Sequence, residues 1–150
     1  MRLALRTFIE TGRFGELPRH PTRTQIVQAL GAPERVGGVS RRHRSPTIHR
    51  YGDVEFHFSR AAPDVCVRVY VEWPEWDRAV RLPARCELTE WDLPSRPTIQ
   101  DVESYLSERS IASDALRRHP GLPPSLTVPT SGATFIFDDG GTLSSISVGA

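Results

Sequence analysis

Hydrophobic positions in this chain recur with two different periods, and each period marks its own kind of element. A period of two runs through 54–58, where Val54, Phe56 and Phe58 share one face and Glu55 and His57 the other. It returns at 65–72, with Val65, Val67, Val69 and Val71 set against Cys66, Arg68, Tyr70 and Glu72. Both segments are predicted as half-buried strands. Residues 84–91 alternate more weakly and predict a third strand. Phe135-Ile136-Phe137 and 143–148 predict a closing hairpin, because Asp138-Asp139-Gly140-Gly141 between them suits a tight turn that needs positive φ.

Helical spacing appears in three places. Leu3, Leu5, Phe8 and Ile9 predict a short helix over 3–11, ended by Gly12 and Gly15. Ile26, Val27 and Leu30 predict a second, with Thr22 or Thr24 as its N-cap and Gly31 as its stop. Val102, Tyr105 and Leu106 predict a third, which starts at Thr98 and carries Asp101 and Glu103 in its first turn, where acids complement the helix dipole. Residues 31–46 and 119–131, rich in Gly and Pro, read as loops.

The second and third helices open on related sequences. Pro21-Thr22-Arg23-Thr24-Gln25-Ile26-Val27-Gln28-Ala29-Leu30 and Pro97-Thr98-Ile99-Gln100-Asp101-Val102-Glu103-Ser104-Tyr105-Leu106 keep register at Pro, Thr, Gln/Asp, Ile/Val and Leu. Each then leads to a Phe-x-Phe strand after a similar interval, at Phe56 and at Phe135. A repeat on this scale predicts two α-β-β units side by side. The expected fold is α+β: an antiparallel sheet from two tandem units with the helices on one face. It forms a single domain over 1–150, with unit one about 1–75 and unit two about 76–150.

Composition narrows the setting. A chain of 150 residues with 38% hydrophobic and 25% charged residues suits one globular domain. No apolar run approaches the ~20 residues of a membrane span, and Arg6 and Glu10 interrupt the only early apolar stretch. The expected compartment is the cytoplasm, with no membrane contact. Cys66 and Cys86 fit a reducing setting as buried, inert thiols, and neither has a second ligand at zinc spacing.

The charge of +1 hides an uneven split. All nineteen basic residues are Arg; residues 1–60 hold eleven of them against five acids, whereas 61–150 hold eight against thirteen. Such halves can pair with one another or steer a partner.

Candidate chemistry is sparse. His20, His43, His49, His57 and His119 form no close-ligand pair, and no G-x-S-x-G elbow singles out a serine. No catalytic residue, metal site or cofactor is predicted, and the chain is read as a non-enzyme. Two polar segments stand out. The loop from Arg35 to Arg50 carries Arg41, Arg42 and Arg44 with His43 and His49: either a solvated loop tied down by Glu34, Asp53 and Glu55, or an anion site for nucleic-acid phosphate or an acidic protein patch. Tyr51 is the one obvious stacking platform beside it, and the acidic second half opposes phosphate, so nucleic acid ranks below protein as a partner. Glu72-Trp73-Pro74-Glu75-Trp76-Asp77 either covers the edge of the core with its two indoles or anchors another protein, since Trp and Arg dominate interface hot spots. The predicted partner-binding set is Arg41, Arg42, Arg44, Trp73, Glu75 and Trp76.

Ala29-Leu30-Gly31-Ala32-Pro33, Gly37-Gly38-Val39-Ser40-Arg41 and Tyr51-Gly52-Asp53-Val54-Glu55-Phe56 resemble a group of uncharacterised small bacterial proteins. Their pattern is a helix ending in Leu-Gly-x-Pro, a Gly/Arg loop and a Tyr-Gly-Asp-x-Glu strand. Phe8-Ile9-Glu10-Thr11-Gly12-Arg13 is similar to theirs as well, so the match covers about the first 60 residues. The repeated α-β-β unit looks like the β-lactamase-inhibitor-protein type of fold, in which tandem units form a sheet that grips another protein. The resemblance implies an immunity or inhibitor-like protein that blocks a partner such as a bacterial toxin, and it implies no catalytic residues. The alternative is a nucleic-acid-associated protein that uses the Arg35–Arg50 loop.

Overall fold

Two of the helices begin on caps that their own sequences supply. At Thr22 the hydroxyl accepts from the Gln25 N–H at 3.2 Å while the Gln25 side chain accepts from the Thr22 N–H at 2.8 Å. At Thr98 the hydroxyl accepts from the Asp101 N–H at 3.3 Å, and the Asp101 carboxylate accepts from the Thr98 N–H at 2.7 Å. Each is a capping box, which satisfies orphan donors of the first turn reciprocally. The helices that follow are α2 (Arg23–Leu30) and α3 (Ile99–Glu108). Ile26 and Leu30 of the first, and Val102, Tyr105 and Leu106 of the second, are buried.

The structure, a computed structural model, describes residues 1–39, 46–74, 78–90 and 92–149. Among the described residues the other elements are β1 (Arg2–Ala4), α1 (Leu5–Thr11), β2 (Arg35–Gly37), β3 (Ile48–Tyr51), β4 (Val54–Phe58), β5 (Cys66–Glu72), β6 (Glu87–Thr89), β7 (Ser125–Val128), β8 (Ala133–Phe137) and β9 (Leu143–Gly149). Seven strands form one antiparallel sheet in the order β2-β3-β4-β5-β9-β8-β7, and β1 pairs with β6 in a small parallel ribbon. The α+β class and the antiparallel sheet are as the sequence predicts. The first helix begins at Leu5 and not at residue 3, because Arg2–Ala4 pairs with β6 as strand β1. Three further details differ. β2 lies within 31–46 and β7 within 119–131, both read as loop, because three- and four-residue strands amid Gly and Pro carry too little alternation to register. The 84–91 strand shrinks to β6, leaves the main sheet, and excludes Cys86.

The third difference is a reversal of facing. Val71 pairs with Val54 and Val69 with Phe56, but Phe58 pairs with Cys66, so Val67 is an extra residue in β5. A bulge of this kind shifts the side-chain phase by one. Cys66, 1% exposed, therefore enters the core with Val69 and Val71, while Val65 and Val67 are only half-buried. β9 repeats the irregularity: Phe135 pairs with Ile146 and Phe137 with Leu143, which leaves Ser144 as the extra residue.

Other features recur after α2 and after α3. β3 and β7 have four residues, β4 and β8 five, β5 and β9 seven. Cys66 N–H donates to Pro21 C=O at 3.0 Å, as Leu143 N–H does to Pro97 C=O at 2.8 Å. Arg23 N–H reaches Asp64 C=O at 2.8 Å, and Ile99 N–H reaches Gly141 C=O at 3.1 Å. The strands β5 and β9 meet at mid-sheet, with Tyr70 opposite Ser147 at the centre of their five paired residues.

One hydrophobic core takes the inward side chains of the sheet and the buried faces of α1, α2 and α3. An edge-to-face run of rings, Phe8 to Phe14 (centroids 6.1 Å), Phe14 to Phe56 (5.3 Å) and Phe56 to Tyr51 (5.8 Å), ties α1 to the sheet. Gly12 closes α1 at φ +71°, and a Cβ there would stand 2.8 Å from Val148 Cγ1. Only glycine meets both conditions. Beyond Gly12, Arg19 donates to Ser131 C=O at 2.8 Å, and the Ser131 hydroxyl donates to Ile9 C=O. Among the described residues no helix is long and apolar enough to cross a membrane.

Candidate functional site

With the core on one face of the sheet, alternation leaves the other face open, and the strand register assembles that face in rows. One row reads Arg50, Glu55, Tyr70, Ser147, Thr134 and Thr127. A second reads Ile48, His57, Arg68 and Gly149, and a third Glu72, Ser145, Ile136 and Ser125. The face is thus unequal. The β3-β4-β5 half is charged and aromatic; the β9-β8-β7 half carries small hydroxyls and Ile136.

The charged half is locked together. Arg50 donates to Glu55 at 3.3 Å and to Glu72 at 2.5 Å. Glu55 holds His57 Nε2 at 2.8 Å, and the His57 ring packs on Tyr70 with centroids 4.7 Å apart. Arg68 donates to the Tyr70 hydroxyl at 3.2 Å. The His57–Tyr70 pair, its rings tilted by 55°, divides two depressions. The first, about 510 Å³, is lined by Asp53, Glu55 and Glu72 together with Trp73, Pro74 and Arg78. The second, about 650 Å³, is lined by Arg60, Arg68, Ile48 and Val67, with Gly38 and Thr47 at its margin.

This fold has a solved counterpart. A DUF4309 family protein (YjgB) from Bacillus subtilis subsp. subtilis str. 168 is similar at a TM-score of 0.50 with 14% identity, over 87% of this chain and 78% of that one. At that identity the likeness speaks for the fold alone. No protein-family model matches the chain, and no curated protein does.

The residues singled out from sequence fall in different places. Trp73 is 5% exposed, and its indole N–H donates to Ser95 C=O at 2.8 Å. It takes the core-covering position of the two that sequence offered, and does not project as an anchor. Glu75 and Trp76 lie outside the described residues, as do Arg41, Arg42, Arg44 and His43. At the ends of the predicted arginine-rich loop, Arg35 stands in β2, and His49 and Arg50 in β3. Arg50 is tied down by Glu55, as one sequence reading held, whereas Glu34 binds Arg81 and Asp53 binds Arg78.

Two buried polar side chains, Asp53 at the first depression and His49 in β3, are held by arginine. Asp53 receives Arg78 through both guanidinium nitrogens, at 2.5 and 3.0 Å, and the Arg81 N–H at 2.7 Å. Burial alone would raise this carboxyl, but the bonds from Arg78 and Arg81 prevail and hold it below the usual carboxylate range. His49 is buried; its Nε2 lies 2.6 Å from Arg23 Nη1, and the Arg23 guanidinium sits 4.0 Å over the Phe58 ring. Burial first, and the Arg23 charge second, push the His49 imidazole below its ordinary value.

Sequence reasoning passed over Glu55, His57, Arg68, Tyr70 and Glu72 as site residues. Their signal was present as the polar phase of two alternating strands. What was missing was that β5 sits at mid-sheet, which makes that phase the centre of an open face. Among the described residues, no group of three or more His, Cys, Asp or Glu is placed to hold a metal ion.

Proposed function

We propose that this domain binds another protein across the open face of its sheet and acts by blocking it, without turnover, as an immunity or inhibitor-like protein. The observation that carries this reading is the face itself: a broad sheet surface that none of the described helices covers, with an interlocked cluster of Arg50, Glu55, His57, Arg68, Tyr70 and Glu72 on one half. Side chains already held in place lose little freedom on binding, which favours recognition.

The same reading takes the chain as two tandem units of the β-lactamase-inhibitor-protein type, α2 with β3-β4-β5 and α3 with β7-β8-β9. The matched capping boxes, strand lengths, bulges and Pro21/Pro97 carbonyl bonds support it. On this view one unit keeps the scaffold and the other carries recognition.

The test is co-purification of the partner from the source organism, followed by affinity measurements on variants whose folding is checked separately. Tyr70→Ala and Glu72→Ala should each weaken binding by about tenfold or more if they are hot spots, while Thr127→Ala on the far strand leaves it unchanged. Unaltered affinity in both would end the proposal. Nucleic-acid binding at physiological salt, lost on replacing Arg41 and Arg42 by Ala, would favour the nucleic-acid reading. Turnover of a small molecule would sink both.

A further inference from the structure

The two depressions beside the His57–Tyr70 pair differ in what their cations are doing. In the first, every described arginine is engaged: Arg78 is bound to Asp53, and the adjoining Arg50 to Glu55 and Glu72. An anion entering there meets committed cations and three carboxylates. In the second, no acid is among the described residues that line the walls, and Arg60 and Arg68 make no ion pair with any described residue. Arg68 is nonetheless held: its guanidinium donates to the Tyr70 hydroxyl, packs 5.8 Å from the Tyr70 ring, and lies across Gly149, where a Cβ would come within 3.1 Å of it. Its apolar side chains are those of Ile48 and Val67, the latter being the extra residue of the β5 bulge. Gly38 shapes the margin: at φ +73°, a Cβ there would stand 1.8 Å from the Thr47 hydroxyl oxygen.

We propose that this second depression receives a carboxylate side chain with its aliphatic stem, presented by an acidic segment of the bound protein partner. A guanidinium free of competing acids binds a carboxylate through charge-assisted, often paired hydrogen bonds. The apolar side chains beside it favour a ligand with methylenes behind the charge over a bare inorganic anion. The occupant rests on the protein-binding reading; the depression's selectivity for an aliphatic carboxylate does not.

The experiment is a titration of the isotope-labelled protein with sodium hexanoate, followed by amide NMR, with hexylammonium and inorganic phosphate as parallel probes. Hexanoate should shift the amides of Ile48, His57, Val67 and Arg68 saturably, and replacing Arg60 and Arg68 together by Gln should weaken it about tenfold while amides elsewhere stay in place. Equal binding of hexylammonium would reduce the site to an apolar patch and overturn the proposal. Tighter binding of phosphate than of hexanoate would overturn it in favour of a phosphate site, and an absence of saturable shifts would overturn it outright. With a partner in hand, saturating hexanoate should compete with it. A partner that binds undisturbed would refute the acidic occupant, whereas loss of the partner hypothesis itself would leave the titration result standing.

Discussion

Asp53 and His49 are both buried polar side chains held by arginine, and each couples the fold to pH in the same direction. The Asp53 carboxyl is held below its unfolded value near 4, so its contribution is complete above that value and is lost as pH falls through the folded one. The His49 imidazole is also held below its unfolded value near 6.5; the fold keeps it neutral, and stability falls as pH drops below that value. Urea unfolding as a function of pH should therefore show two acid steps. Asp53→Asn should remove the lower step and cost about 2 kcal/mol at neutral pH, the scale of lost hydrogen bonds to a charged group. His49→Gln should remove the upper step. Because Arg23 can only donate, His49 Nε2 must accept and the ring proton must sit on Nδ1, which has no hydrogen-bond partner among the described residues. Ring ¹⁵N shifts should report that tautomer.

The thiols differ at the same scale. Burial pushes Cys66 up to about 11, while Cys86, only half-buried, is raised by burial and lowered by the nearby terminal amine. Both should be reduced and slow toward a maleimide in the native protein, and Cys66 should be the slower of the two. Rapid labelling of Cys66 without unfolding would contradict its position in the core.

Among elements, the two capped helices offer a matched comparison. Thr22→Ala and Thr98→Ala each remove a capping box and should each cost about 1 kcal/mol in thermal or urea unfolding. Sequence exposed these helices well, because a cap residue, its partner three positions on and an apolar face are all local. It exposed β4 because period two persists over all five of its residues, and β8 and β9 because an Asp-Gly turn signal lies between them. It did not expose the facing of Cys66, since a bulge is set by cross-strand register, and nothing in Cys66-Val67-Arg68 marks the skipped position. The open face was lost in the same way. Its residues were visible as polar alternates, but strand order was not.

For the molecule as a whole, the sheet joins at the β5–β9 pairing, and α1 crosses from the first half to pack on the second. Its contacts reach the turn after β7: Ser131, fully buried, donates to Ile9 C=O and accepts the Ala133 N–H at 3.1 Å. Ser131→Ala should cost about 1–3 kcal/mol. Hydrogen exchange should show the loss concentrated in α1 and the β7–β8 turn, whereas a uniform loss would mean that this contact has no local role.

That contact also orders events at the ribosome. Ile9 and Ser131 stand 122 residues apart, so at about 5–20 residues per second α1 is made on the order of ten seconds before its docking turn exists. Until then Leu5, Phe8 and Ile9, all buried in the finished protein, have no second half to cover them. In the nascent chain α1 is an apolar segment in waiting, and chaperone contacts during synthesis should concentrate there.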